Sequence, residues 1–292
     1  MTKSLLKGFL TRLAGSTAIV LLAMGVFGSQ PASAQITGTK HNLGSGGTGT
    51  IKSADGTTEI CVFCHTPHGA DTSAAVPLWN RVLPTPSTYT TYNSLGTSSL
   101  DGQTAPVGSV SLACLSCHDG SLALNVMINA PGSGGYASGG ATLTGTWTGS
   151  TILPSTAITN IGIDLRNDHP IGIQYGGGPK GTTIPAAPND YTNSDFKDFD
   201  FKPAKSATLN GQQVWWVDTG TQGDGRQKTD IQLYTRASAN IITGTSTVSA
   251  TGYATAQPFV ECASCHDPHT AVPTFLRVSN ASSALCLACH TK

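Results

Sequence analysis

Charge of either sign is scarce in this chain. Lys, Arg, Asp and Glu make up 11% of its 292 residues, against about a quarter in an ordinary globular domain. A cationic excess is missing too: 16 basic residues face 16 acidic ones. Three of the basic residues, Lys3, Lys7 and Arg12, fall in the first 34 positions, where there is no acid. The rest of the chain therefore carries 13 basic against 16 acidic residues, a charge of −3, which argues against nucleic acid as a partner. Long apolar runs are lacking. The run Ala18–Phe27 is well short of the roughly 20 residues a spanning helix needs. Methionine is almost absent: Met1 and Met24 lie in the leader, leaving only Met127 beyond it. Helix formers are also few, while glycine numbers 34 and serine and threonine crowd the middle. Such a chain has little from which to build a conventional core, so it is expected to be mostly coil with few secondary structures.

Residues 1–34 read as a signal peptide: a basic start, a short apolar run, and Ser29-Gln30-Pro31-Ala32-Ser33-Ala34 ending in a small-x-small cleavage pattern. No cysteine lies near that point, so no lipid anchor is expected. The mature chain is expected to be exported to the periplasm and on to the cell surface, without membrane insertion.

Cysteine is the exception to this poverty. All eight cysteines fall into four Cys-x-x-Cys-His motifs: Cys61 to Cys64 with His65, Cys114 to Cys117 with His118, Cys262 to Cys265 with His266, and Cys286 to Cys289 with His290. A lone Cys-x-x-Cys fits a zinc half-site, a dithiol or a disulfide. Four copies, each followed directly by histidine in an exported chain, predict covalent c-type haem, with two thiols on the porphyrin edge and the histidine on the iron. Four haems, with their propionates, would make the holoprotein acidic and suited to basic redox-protein partners or cationic metal species.

Four further histidines remain, His41, His68, His169 and His269, as many as the distal positions to be filled. That count predicts bis-histidine iron at every haem. His68 and His269 each follow a proximal histidine by three residues, with a proline just before. Positions three apart on a helical turn lie within about 6 Å on one face, so neither can reach round its own porphyrin. Each is expected to ligate a different haem. His169, in Asp168-His169-Pro170, must reach a haem from the insert, and His41 sits on what reads as a glycine-flanked extended arm over residues 35–60.

The chain also repeats itself. Residues 75–82, Ala-Val-Pro-Leu-Trp-Asn-Arg-Val, follow the first motif, and residues 271–278, Ala-Val-Pro-Thr-Phe-Leu-Arg-Val, follow the third. The expected organisation is a two-haem module over 35–118, an insert over 119–261 and a second two-haem module over 262–292. Short helices are expected at the motifs. The insert should hold sparse strands, Gln213–Val217 and Asp230–Thr235, with Gly220–Gly225 as a hairpin between them and Gly132–Gly149 as exposed loop.

Taken together, the doubled motifs, the trailing Pro67-His68 and Pro268-His269, the His169-Pro170 pair and His41-Asn42-Leu43 resemble the exported multihaem cytochromes of metal-reducing bacteria. The closest resemblance is to the outer-membrane cytochrome E-like tetrahaem subunits that polymerise into conductive filaments. The likeness covers the motif-bearing segments; the insert fits only loosely. It implies bis-histidine haems stacked in a continuous chain, end-to-end homopolymers, and one haem per subunit taking its distal histidine from a neighbour. It also implies metal oxides outside the cell as electron acceptors. His41 on its arm or a Pro-His histidine could be that donor, and the fourth haem should lie near the C-terminus, since only Thr291 and Lys292 follow His290. The expected role is electron transfer with no chemistry on a substrate. A soluble periplasmic shuttle is the alternative. A multihaem reductase would need one open iron, most readily if His41 were not a ligand. A surface adhesin leaves four haem motifs unexplained.

Overall fold

The computed structural model describes residues 35–292, apart from 74, 133, 181–189, 221–224, 237–241, 244–246 and 249–256. The signal peptide expected over 1–34 lies outside the described residues. Gln35–Lys292 is one compact unit.

Most of this unit is coil and turn, but it holds a larger sheet than the composition suggests. Five antiparallel strands run in the order β5 (Ile173–Gln174), β11 (Gln257–Val260), β8 (Ile231–Arg236), β7 (Gln212–Val217) and β6 (Lys205–Leu209). Strands β7 and β8 pair Trp215 with Leu233 and Val217 with Ile231, in the two stretches where the aromatic and β-branched runs predict strands. Strand β6 is the one the residues announce less loudly. Its turn into β7 is Asn210-Gly211, both at positive φ (50° and 76°), the pairing that a tight right-twisted hairpin favours. Around this sheet lie three short strand pairs: β1 (Lys52–Ser53) with β4 (Trp147–Thr148), β2 (Val126–Asn129) with β3 (Tyr136–Thr142), and β9 (Ile242–Thr243) with β10 (Thr247–Val248). Strand β3 falls in the stretch expected to be loop. Its residues are exposed or half-exposed, and it is held by pairing with β2, whose Met127 and Ile128 are buried.

The sheet positions the haem motifs at two points. Strand β11, buried along its length, runs through Glu261 directly into α2 (Cys262–Cys265), the third motif. The largest apolar cluster, with Tyr175, Tyr191, Phe196, Trp215 and Ile231, also takes Ala288 and Cys289 from α3 (Ala284–Cys289), the fourth motif. Helix α1 (Ser109–His118) carries the second motif on its last turns; its Leu112 and Leu115 pack with Tyr89, Val107 and Leu165.

The N-terminal segment is not an extended arm. Ile36–Gly38 makes a 3-10 turn, and the Gln35 amide donates to the His269 carbonyl at 3.1 Å. Asn42, 2% exposed, donates to the Thr37 carbonyl and accepts from the Gly44 amide. Glycine here serves close packing: a Cβ on Gly47 would lie 2.0 Å from the Asn42 carbonyl oxygen. The glycines that read as slack are what let the chain fold back on itself.

Candidate haem sites

Each motif starts with one helical turn, which brings residues i, i+3 and i+4 to one side and so groups both cysteines with the histidine. The His65 amide donates to the Cys61 carbonyl at 2.8 Å, His266 to Cys262 at 3.1 Å and His290 to Cys286 at 2.9 Å. In three motifs the chain then leaves extended and is clasped by a second segment. His65 bridges Trp79, His266 bridges Leu276 and His290 bridges Phe201. The clasp bonds repeat: Thr66 to the Leu78 carbonyl and Asn80 to that of Cys64, Asp267 to Phe275 and Arg277 to Cys265, Thr291 to Asp200 and Lys202 to Cys289. The second motif differs because α1 continues through His118, and there Ile161 donates to the His118 carbonyl instead.

This geometry corrects the alignment of the repeat. By sequence Arg81 matches Arg277; by hydrogen bonding Asn80 does. The Asn80 side chain donates to the Val62 carbonyl at 2.6 Å, as the Arg277 guanidinium donates to that of Ala263 at 2.9 Å. Asn80 also donates to the Asn129 carbonyl and accepts the Asn129 amide, and it is fully buried. Asn80→Ala would strand several buried groups at about 1–3 kcal/mol each. The expected result is a loss of about 2–3 kcal/mol in guanidinium unfolding followed by circular dichroism. An unchanged midpoint would refute the clasp.

Four histidines have their tautomer set by a backbone carbonyl. A carbonyl can only accept, so each Nδ1 beside one carries the proton. His65 Nδ1 donates to the Pro77 carbonyl at 2.8 Å, His118 to Thr159 at 2.8 Å and His266 to Thr274 at 2.9 Å. This leaves Nε2 free to bind, the arrangement second-shell acceptors impose on ligating imidazoles. His169 Nδ1 donates to the Pro170 carbonyl at 3.2 Å. All eight cysteines are free of disulfides.

The distal candidates are distributed as follows. The His41 and His118 ring centres are 6.1 Å apart, and those of His65 and His269 are also 6.1 Å apart. Two imidazoles on opposite sides of one iron have centres about 6 Å apart, from two bonds of about 2 Å and two half-rings of about 1 Å. The spacing of both pairs fits an iron between them. Burial pushes the His41 imidazole down to about 4, with His118 adding to the shift, so this ring is neutral at physiological pH, the form that ligates. His41 also stacks on Phe275 at 4.1 Å; it lies against its own chain and does not reach away from it. His269 lies beside the histidine of the first motif, not that of its own. Burial lowers the His169 imidazole, with the His290 charge a smaller influence in the same direction, and the His290 ring lies 4.3 Å from Phe201.

His68 and His266 remain. The His68 ring is exposed; its backbone carbonyl accepts from Thr66 and Asn129. Among the described residues neither histidine has another imidazole at the paired spacing, and nor do His169 and His290; the charge of His266 bears on both His41 and His118.

The attachment cysteines of successive motifs act on one another electrostatically. Burial pushes the Cys64 thiol up to about 12, with Cys117 of the second motif adding to it. Cys114 of the second motif and Cys262 of the third act on each other, the Cys114 thiol being pushed up and the Cys262 thiol down. Burial pushes Cys289 up to about 12 with Cys265 next in effect, which joins the third motif to the fourth. Among the described residues no three His, Cys, Asp or Glu side chains converge as a bare metal site.

Residues 257–292 match the family model described as doubled CXXCH motif. No curated protein matches the chain. The match and the motif geometry together indicate covalently bound c-type haem and haem-based electron transfer. Sequence reasoning missed the clasp residues Asn80 and Arg277, since the repeated Arg-Val invites an alignment one residue out of register.

Proposed function

We propose that this protein is a tetrahaem electron carrier whose four haems are held in chain order by bis-histidine ligation, with no chemistry on a substrate. The observation that carries the reading is the pair of 6.1 Å histidine spacings, each joining residues far apart in sequence. His41 would serve the His118 haem, His269 the His65 haem and His169 the His290 haem. When bound, haem supplies an iron that alternates between ferric and ferrous states; histidine on both sides, without methionine, favours low potentials. The protein's part is to hold these ligands and exclude others. The electrostatic influence of Cys117 on Cys64, of Cys262 on Cys114 and of Cys265 on Cys289 puts successive motifs near one another and supports a single continuous path.

The unmatched pair supports end-to-end assembly. An exposed His68, and a His266 without an imidazole at the 6.1 Å spacing, suit donation from one subunit to the next. We assign His68 as the donor and the His266 haem as the receiver in an exported filament, with redox proteins and extracellular metal oxides as its electron partners. The same unmatched His266 is what a reductase with one open iron would show. Mass spectrometry of the mature holoprotein should find four haems, and the assembled material should be low-spin and bind no carbon monoxide. Three haems, or fast stoichiometric carbon monoxide binding to assembled protein, would defeat the reading.

A further inference from the structure

The residue directly after each motif histidine differs in a way the haem count does not use: Thr66, Asp119, Asp267 and Thr291. Asp119 is occupied elsewhere. Its carboxylate accepts from the Tyr89 hydroxyl at 2.7 Å and from Ser121. Asp267 faces a histidine. Its Oδ1 lies 3.4 Å from His269 Nδ1 and accepts the His269 amide at 2.9 Å. Its Oδ2 faces the Lys228 ammonium at 3.4 Å and the Arg277 guanidinium at 3.8 Å. The side chain is only 8% exposed. In the equivalent place of the first motif, Thr66 donates to the His68 carbonyl and does not touch the ring.

The geometry points to Asp267 as a positioning residue that lowers the potential of one haem, the one His65 and His269 hold. Resting on the ligand assignment above, the inference goes beyond it by making the duplicated modules electrically unequal. Of the other histidines, His65, His118, His266 and His169 give Nδ1 to neutral carbonyls. A carboxylate on Nδ1 makes the imidazole a stronger donor to the metal, which favours ferric iron over ferrous. Lys228 and Arg277 hold the carboxylate ionised and aimed, with its other oxygen turned to the ring. Both cations raise nearby potentials through space, so loss of the carboxylate leaves them uncompensated and acts in the same direction.

The test is a spectroelectrochemical titration of the holoprotein carrying Asp267→Asn, with Asp267→Thr as a second variant because threonine fills the equivalent place in the first motif. One of the four midpoint potentials should move positive, the low-spin optical spectrum should persist, and the electron paramagnetic resonance g-values of that haem alone should change. Asp267→Glu should restore most of the wild-type potential. Four unchanged potentials, or a negative shift, would overturn the inference. Loss of the ligand assignment itself looks different: the wild type would then lack four low-spin bis-histidine signals.

Discussion

Glu261→Gln is expected to cost the fold about 3–5 kcal/mol, the range for breaking a buried ion pair on one side. Glu261 is 1% exposed. It accepts from Arg236 Nε at 2.8 Å on one oxygen and from the Ser111 hydroxyl on the other at 2.5 Å. Ser111 in turn accepts the Cys262 amide at 2.9 Å, and the Arg236 guanidinium also donates to the Pro106 carbonyl. One carboxylate thus ties α1, β8 and α2 together where the second and third motifs meet. Both of its partners are donors, so a glutamine must turn its NH2 towards one of them and leave the Arg236 charge unpaired. Guanidinium unfolding should show the loss in full towards pH 8 and a smaller one towards pH 5, since burial holds the wild-type Glu261 carboxyl above its ordinary range and it takes up its proton first as pH falls.

Arg236→Met behaves differently with pH. Burial already pushes the Glu261 carboxyl above its ordinary range, and Arg236 is the largest influence holding it down. Without Arg236 the folded-state value rises further, and burial stabilises the protonated acid. A group whose folded value exceeds its unfolded value contributes stability below the unfolded value, and loses it as pH rises. The variant should therefore be near wild type at pH 4–5 and progressively weaker towards pH 8. Ser111 donates to this carboxylate, and Cys262, Cys114 and Tyr234 lie within electrostatic reach; haem attachment turns both thiols into uncharged thioethers. A flat difference across that window would refute the assignment.

The Cys-x-x-Cys-His motifs were legible because covalent haem demands a strict local pattern, and the doubled-motif match over residues 257–292 falls on the last two of them. Cys61 through His65 states its purpose in five residues, and its three echoes remove coincidence. The strands around Trp215 and Leu233 were legible for the usual reason, short aromatic and β-branched runs. Much of the remaining structure was hidden because glycine carries two opposite meanings. Gly47 and the stretch before it read as slack, yet the segment is pinned by Asn42 and by Gln35 on the His269 carbonyl. The sheet's full extent depended on β5 and β11, strands of two and four residues whose partners are distant in the chain. Pairings between distant segments leave no local periodicity to read. The clasp around Asn80 was concealed by the repeat itself, where Arg-Val marks homology in sequence and a different register in space.

In the proposed end-to-end assembly, His68→Ala should abolish filament growth while leaving the subunit folded. The His68 ring makes no hydrogen bond or ring contact among the described residues, and its backbone is held independently by Asn129 and Thr66. Removing it therefore leaves the chain's own packing intact. The other three distal assignments stay within the chain, so three haems should remain low-spin and closed. The His266 haem should then bind carbon monoxide rapidly. A head-to-tail contact of this kind is heterologous, with donor and receiver on different faces, and this gives a sharper test than loss alone. A His68→Ala subunit can still accept a histidine from a wild-type neighbour but cannot give one. Added in small amounts to wild-type subunits, it should cap growth at one end and shorten filaments in proportion to its fraction. His41→Ala, whose ring sits beside His118 inside the chain, should open a haem without capping. Negative-stain length distributions decide between them. Normal filaments from His68→Ala subunits would remove His68 as the donor, and shortened filaments from His41→Ala would move that role to the N-terminal segment.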